Sequence, residues 1–159
     1  MTAVKLLGGA LVLASGVAAS VGAVSRERRR LAVLDAWIAL IGLIRVQIDL
    51  YLTPLSEILE RAEPRILQLL TDRSDKPPSL AGMLAHTAPM LDADSQRELA
   101  VLLQELGSSY REEQIKQCGY CIEALQKIRE RQALELPQKT RLYTTLCLCS
   151  SLGVLILLW

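Results

Sequence analysis

The sequence contains no phenylalanine and a single histidine, His86. It has no charged residue in two of its stretches, residues 6–24 and residues 142–159. Each shortage excludes something. Without Phe, and with little alternation of Val, Ile or Thr with polar residues, the chain does not read as a sheet protein. Leu, Ala, Glu, Arg and Gln dominate instead, which is a helix composition. A lone His at a helix end is a polar turn residue before it is a catalytic one. There is no Gly-rich phosphate loop and no Ser-His-Asp set in a plausible context, so the sequence offers no catalytic residue and does not read as an enzyme. Charge of one sign is also lacking: 18 Lys and Arg stand against 17 Asp and Glu, a net charge of +1. That balance carries no bias towards nucleic acid.

What is present is segregation. Every charge except Lys5 lies between Arg26 and Arg141. The chain therefore divides into an apolar segment, 4–24, a charge-dense middle, 25–141, and a second apolar segment, 142–159. Residues 6–24 are long enough to cross a hydrocarbon core of ~30 Å as a helix. Residues 21–23, Val-Gly-Ala, could pass for a cleavage site, but Arg26, Arg28, Arg29 and Arg30 follow at once. A basic cluster there resists translocation, so an uncleaved anchor is expected. The second segment follows Lys139 and Arg141 and ends in Trp159, a residue that favours the membrane interface. The positive-inside rule then puts residues 25–141 in the cytoplasm. Gly9, Gly16 and Ala23 recur every seven residues, and Ser15, Ala19 and Ala23 every four. Such small residues allow close helix packing in lipid.

The middle reads as a helical bundle, one compact domain in size. Residues 31–52 are strongly apolar but interrupted by Asp35, Arg45, Gln47 and Asp49. Leu34, Ile38, Ile41, Ile44 and Ile48 recur at helical spacing, so this is expected to be a buried amphipathic helix running on from the first span. Thr53-Pro54 ends it and caps the next helix, whose stripe is Leu55, Ile58, Leu59 and Ala62. Pro64 breaks that helix, and Ile66, Leu69 and Leu70 continue the pattern. Residues 71–79, with Lys76-Pro77-Pro78, are the main loop. A short helix over 80–86 is capped by Ser79, Pro89 and Asp92 mark a turn, and a helix over 95–106 carries Leu99, Leu102, Leu103 and Leu106 before Gly107 closes it. Ser109 and Glu112 form a capping-box pair for the last helix. There Ile115, Cys118, Ile122 and Leu125 make the seam, and Glu113, Lys116, Glu123, Lys127 and Glu130 face outwards. Pro137 is expected to separate this helix from the second span.

Cys118 and Cys121 form a C-x-x-C on one helix face. A zinc site needs two further ligands and only His86 is at hand, while a redox site needs a strand-to-helix context that is missing. Packed thiols are the simpler reading, and Cys147 and Cys149 fit as small apolar residues. No metal site and no cofactor site is expected.

Several stretches resemble the stage III sporulation protein AB family of endospore-forming bacteria. They are Lys5-Leu6-Leu7-Gly8 before a small-residue span, the Arg cluster, Leu52-Thr53-Pro54-Leu55-Ser56-Glu57, Leu106-Gly107, Gln114, and Lys139-Thr140-Arg141-Leu142-Tyr143. Two positions depart from the family pattern: Tyr110 stands where Asp is common, and Leu146-Cys147 where Leu-Gly is common. The resemblance implies an all-α fold, with a cytoplasmic helical bundle flanked by two transmembrane helices. It implies likeness to a cytoplasmic domain of the type II secretion platform protein. It also implies membership of the mother-cell machinery that builds a channel to the forespore. The partners implied are a secretion-type ATPase, stage III sporulation protein AA, other membrane proteins of the same complex, and membrane lipid, with self-association left open. The charged outer faces of residues 55–63 and 111–131 are the expected contact surfaces. A regulatory membrane hairpin that binds a soluble factor is the alternative.

Overall fold

A computed structural model describes residues 2–51, 55–71, 79–107 and 110–158, all helical or in short turns, with no strand among them. The helices are α1 (Thr2–Tyr51), α2 (Leu55–Arg61), α3 (Pro64–Leu70), α4 (Leu80–Thr87), α5 (Ala93–Glu105) and α6 (Arg111–Leu158). A 3₁₀ turn, Ala88–Met90, joins α4 to α5.

Local sequence sets most boundaries. α1 runs unbroken into the bundle because no Pro or turn cluster follows its basic residues. Pro64 takes the first turn of α3, where its missing N–H has no intrahelical partner to lose. Ser79 accepts a hydrogen bond from the Gly82 amide at 3.1 Å, the expected N-cap of α4. Gly107 stops the chain after α5 with φ of +92°, a conformation that a side chain disfavours. The Thr53-Pro54 helix start, most of the 71–79 loop and the Ser109 cap lie outside the described residues. So do the surroundings of Gly9, Gly16 and Ala19.

Two expectations are corrected. The helix anticipated at Ser95 begins two residues earlier, with Asp92 as its N-cap. The Ser95 hydroxyl is buried there and donates to the Asp92 carboxylate at 2.5 Å. More consequentially, Pro137 does not end a helix: α6 continues through it. A mid-helix Pro removes one N–H bond and crowds the carbonyl four residues back, at roughly 3 kcal/mol. Its neighbours, Ala133 to Leu136 on one side and Gln138 on the other, are strong helix formers without a Gly or a cap, so the helix survives.

Residues 30–131 form one unit, and the helix segments 2–29 and 132–158 form another. In the first unit the centre is the α1 face of Leu34, Trp37, Leu40, Ile41 and Ile44, each at most 2% exposed. Burying such a side chain stabilises by about 1.5–3 kcal/mol. Ile58 and Leu70, Met83, Leu99, and Cys118 and Leu125 close over it from the other helices. Ion pairs line its edges: Asp35 with Arg129 at 2.9 Å, Asp49 with Arg111 at 3.1 Å, and Asp94 with Arg131 at 3.4 Å. The first two run in opposite chain order, so the bundle segments of α1 and α6 are antiparallel.

Candidate interaction surfaces

The cysteine pair lies in the core. Cys118 is fully buried and Cys121 is 4% exposed. Burial pushes both thiols up, Cys121 to about 12 with a further rise from the Glu98 carboxylate. The Arg45 guanidinium opposes this at Cys118. Its tip lies near the helix surface at Gly119, where a Cβ would sit 3.8 Å away. The Cys121 thiol donates to the Glu98 carbonyl at 3.9 Å, which ties α6 to α5. Thiols held neutral and out of water are packing groups, weak as nucleophiles. His86 is half-buried in the last turn of α4. Among the described residues no three His, Cys, Asp or Glu side chains converge as a metal site would require.

The surface of residues 55–63 expected as a contact face carries an internal pair, Arg61 with Glu57 at 2.6 Å, and, beyond α2, an exposed Glu63. Along α6, Glu113, Lys116, Glu123, Lys127 and Glu130 are exposed as expected. Three cations of that stretch are engaged within the bundle. Arg111 holds Asp49 through both its carboxylate and its backbone carbonyl, Arg129 holds Asp35, and Arg131 holds Asp94. The Asp35 carboxylate, by hydrogen bond and by charge, raises the Arg129 guanidinium above its ordinary value. The α6 face is therefore partly committed to holding the fold, and what remains turned outward is mixed in sign.

One feature of α6 was not legible in sequence. Between α5 and α6 lies a groove of ≈ 190 Å³ lined by Glu98, Val101, Leu102, Glu105, Gln117, Tyr120 and Cys121. Tyr120 is 71% exposed and Val101 48%, while the Gln117 side-chain oxygen is buried without a hydrogen-bond partner. The one available signal was Tyr120, a large aromatic on the charged side of an amphipathic helix.

Val21–Leu50 is the stretch, among the described residues, that is long and apolar enough to cross a membrane. Much of its apolar character is already used: Leu34, Trp37, Leu40, Ile41 and Ile44 fill the bundle core. Arg26, Arg28, Arg29 and Arg30, early in that stretch, are all exposed. The side chains of the expected first span, 6–24, are mostly outside the described ones. In the distal part of α6, Leu142 and Leu146 are both 59% exposed and Leu152 is 52% exposed. Apolar residues left uncovered along a charge-free helix mark a surface suited to lipid or to another apolar partner.

The family model described as stage III sporulation protein AB matches residues 82–159. The match takes in Leu106-Gly107, Gln114 and the residues 139–143 on which the resemblance partly rested. The stretches before residue 82 lie outside it. No curated protein and no solved structure matches the chain.

Proposed function

The chain belongs to the stage III sporulation protein AB family, and from that premise we propose that it is a membrane platform component of the mother-cell to forespore channel complex. Two membrane spans, within residues 4–24 and 142–159, hold a cytoplasmic bundle to the mother-cell membrane around the forespore. The bundle receives a secretion-type ATPase, stage III sporulation protein AA, and the spans meet other membrane proteins of the complex. The role is mechanical coupling, without a chemical step of its own.

The observation that carries this reading is the extent of the family match, which runs from α4 through the bundle part of α6 and on into charge-free residues 142–159. Three features support it. The apolar segments 6–24 and 142–159 each reach the length a span needs. Basic residues stand at the inner end of both segments. The bundle between them buries its apolar residues and turns charge outward.

The test is recruitment. Full-length chain is reconstituted in lipid vesicles, and flotation of the purified ATPase with them is measured. The platform reading expects flotation that depends on the chain and is weakened by charge reversal of Glu113, Lys116, Glu123 and Lys127. Failure of the ATPase to float with correctly inserted chain would turn the reading to the regulatory hairpin, whose partner is a different soluble factor.

A further inference from the structure

The groove between α5 and α6 is acidic in its charged lining. Glu98 and Glu105 stand there beside Gln117, whose side-chain oxygen is buried and has no hydrogen-bond partner. Its walls are apolar or aromatic, from Val101, Leu102 and Tyr120. No cation belongs to the lining, although Arg97 and Lys116 stand next in sequence to Glu98 and Gln117. The floor is fixed where the Cys121 thiol meets the Glu98 carbonyl. A buried acceptor without a donor carries a desolvation penalty, and native folds rarely keep one without a use.

At ≈ 190 Å³ the groove is too small for a helix. By the ~30 Å³ that each liquid water occupies, it holds about six waters, the scale of one long side chain. A side chain that suits it has an apolar stem and a cationic head with several donors. Lysine and arginine both have such stems. Arginine alone adds a planar fork that can serve a carboxylate and an amide oxygen together and can lie against an aromatic face.

We propose that this groove is a docking site for a single arginine, flanked by apolar residues, on a partner protein. The guanidinium enters between α5 and α6 and donates to the Glu98 carboxylate and, as the Gln117 side chain turns outward, to its Oε1. Glu105 adds negative charge at the rim, and the stem lies on Leu102, Val101 and the Tyr120 ring. This rests on the reading of residues 111–131 as a partner-facing surface and gives that surface a defined centre.

The test needs neither the ATPase nor a sporulating cell, so its failure is distinct from failure of the platform reading. Full-length chain in lipid nanodiscs is labelled with 3-fluorotyrosine, and the Tyr120 resonance is assigned by Tyr120→Phe. The probe is an acetylated leucine-arginine-leucine amide, titrated beside the same peptide with citrulline, which keeps the shape and removes the charge. The Tyr120 signal is expected to move saturably with the arginine peptide and not with citrulline. Glu98→Gln combined with Gln117→Leu weakens binding at least tenfold, while the signals of Tyr51, Tyr110 and Tyr143 stay in place. Gln117→Glu, which adds a charge, tightens binding at least threefold, a gain that a misfolded variant cannot mimic. No movement of Tyr120, equal movement with citrulline, or indifference to these variants overturns the proposal. So does a Tyr120 shift that appears without peptide and disappears on dilution, because the occupant is then a second copy of the chain.

Discussion

The indole nitrogen of Trp37 donates a hydrogen bond to the Thr87 hydroxyl at 3.0 Å, and that hydroxyl donates in turn to the Met83 carbonyl at 2.8 Å. Trp37 is 1% exposed and Thr87 fully buried. One side chain thus satisfies the polar end of the largest core residue and anchors α1 to the end of α4. Thr87→Val keeps the shape and removes the acceptor, leaving a buried indole N–H unpaired. The expected loss is ~1–3 kcal/mol, read from denaturant unfolding followed by Trp37 fluorescence in a Trp159→Phe background. Thr87→Ser retains the bond and most of the stability.

Much of this fold was legible because it is encoded locally. The α1 stripe, the break at Pro64, the Ser79 cap and the Gly107 stop each depend on a few adjacent residues. The seam of Cys118, Ile122 and Leu125 follows from spacing alone. Thr87 was not legible, since its role is set by a tryptophan 50 positions away. Gln96 was missed for a similar reason: its amide stitches the 3₁₀ turn to α5 by donating to the Ala88 carbonyl at 2.8 Å and the Leu91 carbonyl at 3.0 Å. The α5–α6 groove needs two helices brought side by side before it exists. At Pro137 the helix-forming residues on both sides outweigh the tendency of proline to end a helix, and that balance is not visible in the proline alone.

Proline at position 137 also gives a prediction of its own. Pro137→Ala restores the missing backbone donor and relieves the crowding four residues back. It should stabilise α6 by up to ~3 kcal/mol, seen as a higher midpoint in thermal unfolding. A lower midpoint would contradict this and mean that proline at 137 does more than weaken the helix.

The core thiols should stay unlabelled by maleimide at neutral pH in the folded protein and react only after unfolding. The sign of their pH linkage follows from the direction of the shift. Burial pushes the folded Cys121 thiol up to about 12, from the 9.0 of an ordinary one. Its contribution to stability is therefore complete below 9.0 and falls as pH rises towards 12. Unfolding midpoints measured from pH 7 to 10 should be level at first and then decline. Cys121→Ala should flatten that decline.

Arg129 and Asp35 are each nearly half exposed, so their ion pair is screened by water and salt. Because the Arg129 guanidinium is raised above its ordinary value, it keeps its charge through the neutral range, and on its side the pair is lost only in strong alkali. Asp35→Asn is expected to lower stability slightly at low salt and to have no effect in 1 M salt. A loss that persists at high salt would show that Asp35 holds α6 by something other than charge.

The claim beneath the rest is that residues 4–24 and 142–159 both span the membrane, with the bundle on the cytoplasmic side. The direct measurement is topology. In a chain whose four cysteines are replaced by alanine, single cysteines are placed by Thr2→Cys, Ser25→Cys, Gln132→Cys and Trp159→Cys. Intact cells are then treated with a membrane-impermeant maleimide. The account predicts labelling of the Thr2→Cys and Trp159→Cys chains, and protection of the Ser25→Cys and Gln132→Cys chains until the cells are lysed. Labelling at Gln132→Cys in intact cells, or protection at Trp159→Cys that lysis relieves, would contradict it.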